Sequence, residues 1–368
     1  MSGSIAPITM PKWGLSMEQG TVIRWLAGEG DTVQAGMAVV EVESDKIAGS
    51  LEIPTSGILR RQVASEAEIL RVGALLGVVA EADVSDAEID SFVAEFQSRF
   101  VLGVSEEDKV AIGPETVVVG GRTLSYLRRG ESGEAVLLIH GFGGDKNSWL
   151  FNHEVLAAGH VVYALDLPGH GASEKKIDDP TLAGFAKTVV GFADALQFGD
   201  FHLIGHSLGG AIGIATALRS PDRVRSLTLI ASAGLGSEID AEYLRGFART
   251  NSRKELKALV GRLFANEKLV TRQLVEDLLR FKRLDEVTNA LEAIVSAVLD
   301  GDRQRTILAP QAAKLGKPIR IIWGAKDRIF PASHSKSLGD SAKVHVFANA
   351  GHMVHMEAAN EVNRILLD

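Results

Sequence analysis

Residues 204–210, IGHSLGG, set a serine between two glycines, directly after an apolar strand pattern and directly before the helical run AIGIATAL. A Gly-x-Ser-x-Gly turn in that context holds the hydroxyl of Ser207 at a sharp strand-to-helix corner, where it can act as a nucleophile. A serine hydroxyl is weak by itself. It needs a histidine to take its proton and a carboxylate to orient that histidine. Behind such a turn the acid comes next in the chain and the histidine last. Asp327 follows the apolar strand IRIIWGAK and His352 follows the strand KVHVFANA, so both arrive in that order and at strand ends. Rival histidines fit other work. His355 would begin a helix, His206 adjoins the serine but faces away on the turn, and His140 and His170 precede it. His206, His140 and His170 suit structural hydrogen bonds. An oxyanion formed at Ser207 needs two donors: the backbone N–H of Leu208 at the helix start, and that of Phe142 in the HGFGG loop.

A lysine is the second candidate. In VEVESDKIAGSLEIP, residues 40–54, Val40 and Val42 alternate with Glu41 and Glu43. Alternation resumes after Lys46 at Ile47, Gly49, Leu51 and Ile53, and Pro54 ends it. This is the period-2 pattern of two half-buried strands, a hairpin with Asp45-Lys46 at its tip. Turn chemistry favours Asn-Gly or Asp-Gly there, so Asp-Lys is a poor turn. Taken alone, Lys46 reads as a solvated surface lysine.

Two sets of elements must position these residues. Residues 5 to about 81 read as short strands broken by Gly28, Gly30, Asp31, Gly36, Gly57 and Gly73, an all-β unit. Next comes one amphipathic helix, with Ile89, Phe92, Val93, Phe96 and Phe100 at helical spacing and a Ser85–Glu88 capping box, docking on a neighbour or a partner. From about residue 115 the apolar runs AVLLIHGFGG, VVYALDLPGHG, FHLIGHSLGG, SLTLIASAG and PIRIIWGAKD each leave into a loop bearing Gly or Asp, with helices between them. Such continuous apolar strands predict a parallel sheet covered on both faces. A charged, mostly helical insertion over 237–310 interrupts this pattern where a lid would sit.

The 368 residues predict two domains, one of them with a substantial core. A net charge of −8 and a pI of about 5.7 argue against binding nucleic acid or an anionic membrane. The chain has no cysteine, which removes disulfides, thiolate metal sites and a thiol nucleophile, and fits a reducing cytoplasm. No signal peptide is visible, and no apolar run would span a bilayer.

From 115 onward the motifs HGFGG, DLPGHG, GHSLG, the loop of Asp327 and NAGH occur in order and resemble the α/β-hydrolase superfamily. That fold hosts esterases, C–C hydrolases, peroxidases and acyltransferases alike. The first 80 residues, through MPKWG, GEGDTVQAGMAVVEVESDK and IPTSGIL, resemble the lipoyl domain of 2-oxo-acid dehydrogenase complexes. The resemblance implies lipoate on Lys46. A biotin carrier is the close rival, but its lysine is flanked by methionines, whereas Lys46 stands between Asp45 and Ile47. The helical subunit-binding module and the His-x-x-x-Asp-Gly motif of ordinary dihydrolipoyl acyltransferases are missing. A lipoyl domain joined to a hydrolase-type domain resembles instead the acyltransferase component of bacterial acetoin-cleaving systems.

That resemblance implies a multidomain chain: an all-β lipoyl domain over 1–82, a linker with one helix over 83–113, and an α/β-hydrolase domain with a helical lid over 114–368. It further implies a cytoplasmic acetyltransferase, a homo-oligomer working with thiamine-dependent acetoin-cleaving subunits and a dihydrolipoyl dehydrogenase. Acetyl loaded on the arm of Lys46 would pass to Ser207, activated by His352 and Asp327, and then to coenzyme A. Arg249, Arg253, Lys254 and Lys257 on the lid could meet the coenzyme A phosphates, although mixed charge is usual on a solvated helix face. Two other readings are a serine thioesterase or esterase tethered by its lipoyl domain, and a non-enzymatic organiser. An intact Ser/Asp/His set argues against the last.

Overall fold

The computed structural model describes residues 5–11, 19–43, 48–53, 55–102 and 114–367. The chain divides into two compact units, Met1–Ala111 and Ile112–Asp368.

In the first unit eight short strands form two four-stranded sheets. They are β1 (Ile5–Thr9), β2 (Gln19–Trp25), β3 (Thr32–Val33), β4 (Ala38–Glu43), β5 (Ala48–Glu52), β6 (Gly57–Gln62), β7 (Ile69–Arg71) and β8 (Leu75–Ala80). One sheet runs β1-β8-β6-β3 and the other β5-β4-β2-β7. Val22, Val33, Val40, Val42, Leu59 and Leu76 fill the space between them. Val39 is also fully buried, because the β4–β5 register shifts between Ala38 and Val40 and breaks the simple alternation. β4 and β5 pair antiparallel up to Glu43 opposite Ala48. The connection between those ends is four residues, 44–47, so the two-residue tip and Lys46 itself lie outside the described residues.

Helix α1 (Asp86–Leu102) opens on a reciprocal capping box. Glu88 N–H donates to Ser85 Oγ at 3.3 Å, and Ser85 N–H donates back to the Glu88 carboxylate at 2.9 Å. Its apolar face does not await a separate neighbour. Ile89 is fully buried against Leu75, Val78, Ala80 and Val84, with Phe92, Val93 and Phe96 around it, so α1 packs on the β8 face of its own unit. Arg60 reinforces the start of the helix by donating to the carbonyls of Glu81 and Val84 and to the Asp86 carboxylate.

The second unit is built on an eight-stranded sheet. Its first strands are β9 (Glu115–Val119), β10 (Arg122–Arg129), β11 (Glu134–Ile139), β12 (His160–Leu165), β13 (Phe201–His206) and β14 (Val224–Ile230). A small hairpin, β15 (Leu299–Asp300) with β16 (Arg303–Gln304), stands outside this sheet, which β17 (Ile319–Gly324) and β18 (Lys343–Phe347) complete. The order is β18-β17-β14-β13-β11-β12-β10-β9. It is parallel from β18 to β12, whereas β10 and β9 are antiparallel at one edge. Helices α2 (His153–Ala157), α3 (Leu182–Ala195) and α4 (Leu208–Arg219) lie between the central strands. Strand β11 shows why these strands read as unbroken apolar runs. Leu137 and Ile139 face Phe185, Phe192 and Ile212, while Val136 and Leu138 face Trp149, Leu156 and Val362.

Between β14 and β17 the insertion folds as α5 (Ala241–Arg249), α6 (Arg253–Gly261), α7 (Arg272–Lys282), α8 (Val287–Val298), the β15–β16 hairpin and α9 (Ala309–Ala312). Two short helices, α10 (Val354–Glu357) and α11 (Ala359–Leu367), close the unit.

Candidate active site

Ser207 sits between β13 and α4 with φ 54° and ψ −117°, a strained backbone for any residue with a side chain. Its neighbours leave no room for relaxation. A Cβ on Gly209 would run into the carbonyls of Ile139 and His140, and one on Gly205 into the backbone of Gly209 and Gly210. The two glycines let β13, α4 and the loop after β11 close on one another, and that packing holds the serine at the corner. The Ser207 carbonyl accepts from the N–H groups of Gly210 at 3.0 Å and Ala233 at 3.0 Å, anchoring the turn to the chain after β14.

Asp327 and His352 meet. Asp327 lies in the loop after β17 and His352 in the loop after β18, and His352 Nδ1 is 2.9 Å from Asp327 Oδ2. Both side chains are almost wholly buried. The other carboxylate oxygen of Asp327 accepts from the N–H groups of Ile329 at 2.8 Å and Phe330 at 3.1 Å, which locks its plane. With Nδ1–H donated to Asp327, His352 presents Nε2 as its acceptor, the tautomer a general base requires.

The two expected donors are placed at loop and helix starts. Leu208 is the first residue of α4, and Phe142 follows the loop Gly141 directly after β11 and His140. Among the described residues neither backbone N–H donates a hydrogen bond. The Phe142 ring packs against Phe247 of α5 with centroids 5.7 Å apart.

The other histidines are tied into the frame. His206 Nε2 donates to the backbone carbonyl of His352 at 3.1 Å. His140 bridges two loops: Leu167 N–H donates to its Nε2 at 3.1 Å, and its Nδ1 lies 2.8 Å from the Gly141 carbonyl. His170 Nδ1 is 3.1 Å from the Pro168 carbonyl. His355, inside α10, lies between Trp149 and His206 with its ring tilted against both. Burial holds all four below the ordinary imidazole range, furthest for His206 and His170; His355 falls to about 3, burial acting first and the neighbouring His352 second.

Two supports carry no motif. Lys146, itself buried, puts Nζ 2.6 Å from Asp166 Oδ2, while its backbone N–H donates to Oδ1 of the same carboxylate. Ala172 N–H also donates to Asp166, so one buried carboxylate joins the loop after β11 to the DLPGHG loop. A lysine normally reads as surface, and only its neighbours across the fold mark it as buried. Glu357 accepts from the N–H groups of Gly351 and Ala265, fastening the His352 loop to the helical insertion. Its partners are backbone groups, which leave no side-chain pattern to find.

The cations expected on the helical insertion are mixed in their surroundings. Arg249 is paired with Glu292 and Arg253 with Glu276, while Lys254 and Lys257 are exposed on α6. Lys282 of α7 is buried and donates to the carbonyls of Phe247 and Ala248; burial pushes its ammonium down to about 8. Among the described residues no helix is long and apolar enough to cross a membrane.

In the first unit β4 and β5 pair up to Glu43 opposite Ala48, and Lys46 falls between those two residues in the sequence, outside the described residues. A lysine amine can form an amide bond to the carboxyl of lipoate.

Comparisons with known proteins agree with both units. Residues 6–79 match the family of biotin-requiring enzymes, and residues 134–359 match the alpha/beta hydrolase fold family. A meta-cleavage product hydrolase from Pseudomonas fluorescens IP01 superposes with a TM-score of 0.63 at 26% identity, over 70% of this chain and 97% of that one. The dihydrolipoyllysine-residue acetyltransferase component of the acetoin cleaving system of Pseudomonas putida is 49% identical over 365 residues, 99% of this chain and 98% of that protein. The component of the same name from Cupriavidus necator is 45% identical over 366 residues, 100% of this chain and 97% of that protein. Likeness that runs through carrier unit and hydrolase unit together places this chain in the family of dihydrolipoyllysine-residue acetyltransferase components of acetoin cleaving systems, which are acyltransferases.

Proposed function

We propose that the chain transfers acetyl from a lipoyl thioester to coenzyme A in acetoin catabolism, with Ser207 as the nucleophile. The observation that carries this reading is the buried His352–Asp327 pair at 2.9 Å in the unit that holds Ser207 on its strained turn. Lys46 would carry the lipoyl group, which supplies a thiol able to hold acetyl as a thioester. His352 takes the proton of Ser207 as its oxygen bonds to the acetyl carbonyl carbon. Negative charge on the carbonyl oxygen meets the N–H groups of Phe142 and Leu208. When the carbon–sulfur bond breaks, His352 gives the proton to the departing sulfur and leaves acetyl-Ser207. The thiol of coenzyme A then yields its proton to His352 and attacks the acetyl carbon, and Ser207 recovers a proton as the carbon–oxygen bond breaks.

The domains in this reading are a carrier over 1–82, a linker over 83–113 that includes α1, and a catalytic domain over 114–368 whose insertion, 237–310, serves as the lid. Such a lid excludes water, which would otherwise turn transfer into hydrolysis. The partners are thiamine-dependent acetoin-cleaving subunits and a dihydrolipoyl dehydrogenase, in the cytoplasm, with this chain as a homo-oligomer.

The test supplies free S-acetyl-dihydrolipoamide with coenzyme A and follows the fate of acetyl. Acetyl-CoA from wild type, and a loss of at least about 10³-fold in Ser207→Ala, is expected. Release of acetate irrespective of coenzyme A would make the chain a thioesterase. Undiminished transfer by Ser207→Ala would remove the covalent step.

A further inference from the structure

Helix α5 has two working sides. On one, Phe247 packs against Phe142 beside the candidate oxyanion donor. On the other, Arg245 and Arg249 face α8 and the β15–β16 hairpin across a cleft of about 340 Å³, with Glu292, Val295, Leu299 and Arg305 completing its walls. That size accommodates a small organic ligand.

The charges in the cleft do not cancel. Arg249 Nε donates to Glu292 at 2.9 Å and Arg245 Nη1 to Asp302 at 2.6 Å. Arg305 has no such partner. Its Nη2 is held by the backbone carbonyls of Leu299 at 2.6 Å and Ser296 at 3.3 Å, and among the described residues no carboxylate pairs with it. Three guanidiniums therefore face two carboxylates, and the odd one is pre-positioned by neutral acceptors, leaving Nε and Nη1 to donate elsewhere. The apolar side chains of Val295 and Leu299 line the same space. A cation held in place by neutral acceptors, with the edges of the largely buried Val295 and Leu299 beside it, suits the phosphate groups of a nucleotide.

The cleft is also joined to the serine turn. Gln304, next to Arg305, accepts from Gly234 N–H at 2.7 Å and donates to the Gly236 carbonyl at 2.7 Å. Gly234 follows Ala233, whose N–H donates to the Ser207 carbonyl. So the cleft is braced against the candidate active site on both walls, through Phe247 and through Gln304.

We propose that this cleft binds the phosphorylated adenosine end of coenzyme A, with Arg305 as the anchoring cation and Arg249 and Arg245 assisting, while the thiol arm extends toward Ser207. The proposal rests on the reading of coenzyme A as acetyl acceptor. Of the four lid cations singled out in the sequence only Arg249 lines the cleft; Arg253, Lys254 and Lys257 belong to the next helix.

Calorimetric titration of adenosine 3′,5′-bisphosphate into the full chain tests it without turnover. Wild type should bind it, less tightly as salt rises, and Arg305→Gln should bind at least about tenfold more weakly, the loss expected for a charge-assisted hydrogen bond. Arg305→Lys should fall between. Should Arg305→Gln fail to fold, Arg249→Gln, with a side chain 72% exposed, carries the test and should weaken binding several-fold. In turnover, Arg305→Gln should lower the ratio of kcat/KM for coenzyme A to that for pantetheine by about tenfold or more. The proposal is overturned if wild type does not bind the bisphosphate, or if the variants bind it as wild type does. It is equally overturned if inorganic pyrophosphate competes at the same concentration, because the site would then read phosphate alone. If neither thiol accepts acetyl, the acetyltransferase reading fails, and the titration still decides the cleft by itself.

Discussion

His206 Nε2 donates to the backbone carbonyl of His352 at 3.1 Å, so the residue before the proposed nucleophile Ser207 holds the residue that would act as its base. The two rings lie 4.8 Å apart and share one buried pocket with His355. His206 thus acts through another group, as a positioning residue. Replacing it by Phe keeps a ring and removes the donor. We expect kcat for acetyl transfer to fall about 10- to 100-fold with KM within about twofold, and stability to fall by about 1–3 kcal/mol from the unpaired carbonyl. A variant with wild-type kcat would show that the His352 loop needs no such brace.

Lys46 should carry lipoate in a host with lipoylation enzymes. Intact-mass measurement should show the added group on wild type and its loss in Lys46→Arg. The Arg variant should keep transfer from free S-acetyl-dihydrolipoamide while losing transfer that depends on partner subunits. An unmodified chain in cells that lipoylate other carriers would overturn the assignment.

His355 predicts a pH dependence of stability. Burial drops its folded pKa to about 3, below the value near 6.5 of an unfolded histidine. The unfolded chain therefore binds the extra proton first. The contribution is whole above pH 6.5 and is lost as pH falls through 6.5 toward 3, at about 1.4 kcal/mol per pH unit. By pH 5 the loss reaches about 2 kcal/mol for this residue. Thermal unfolding at pH 7.5 and pH 5.0 checks it: His355→Phe, which keeps a ring between Trp149 and His206, should lose less stability than wild type over that interval. An unchanged interval would mean that His355 takes up its proton as readily in the folded chain as in the unfolded one.

Ile89 predicts where α1 belongs. It is fully buried against β8, so Ile89→Ala should loosen the helix from the carrier unit by about 2–4 kcal/mol. Hydrogen exchange should report this as lost protection along α1, with β8 less affected. Equal protection in variant and wild type would mean that the helix is held by its capping box and the Arg60 bonds alone.

Much of the fold and of the candidate site is legible in the sequence because the signals are local. The alternation around Val40 and Val42, the Ser85–Glu88 capping box and the continuous apolar strands each report one element to the solvent or core around it. The strand–turn–helix spacing about Ser207 is equally local, set by what glycine alone can fit between β13, α4 and the loop after β11. Chain order could name Asp327 and His352, but their 2.9 Å contact depends on β17 and β18 lying side by side, which brings together loops 25 residues apart. The remaining features hang on long-range packing. Lys146 is buried because Asp166 waits for it on a neighbouring loop, and Glu357 finds backbone N–H groups 92 residues away. The edge strands β9 and β10 read ETVVV and RTLSYLRR, without the unbroken apolar run of the central strands, and their antiparallel direction was decided only by pairing. The docking of α1 on β8 was likewise invisible, since an amphipathic face declares that it will be buried and leaves the partner to the tertiary fold.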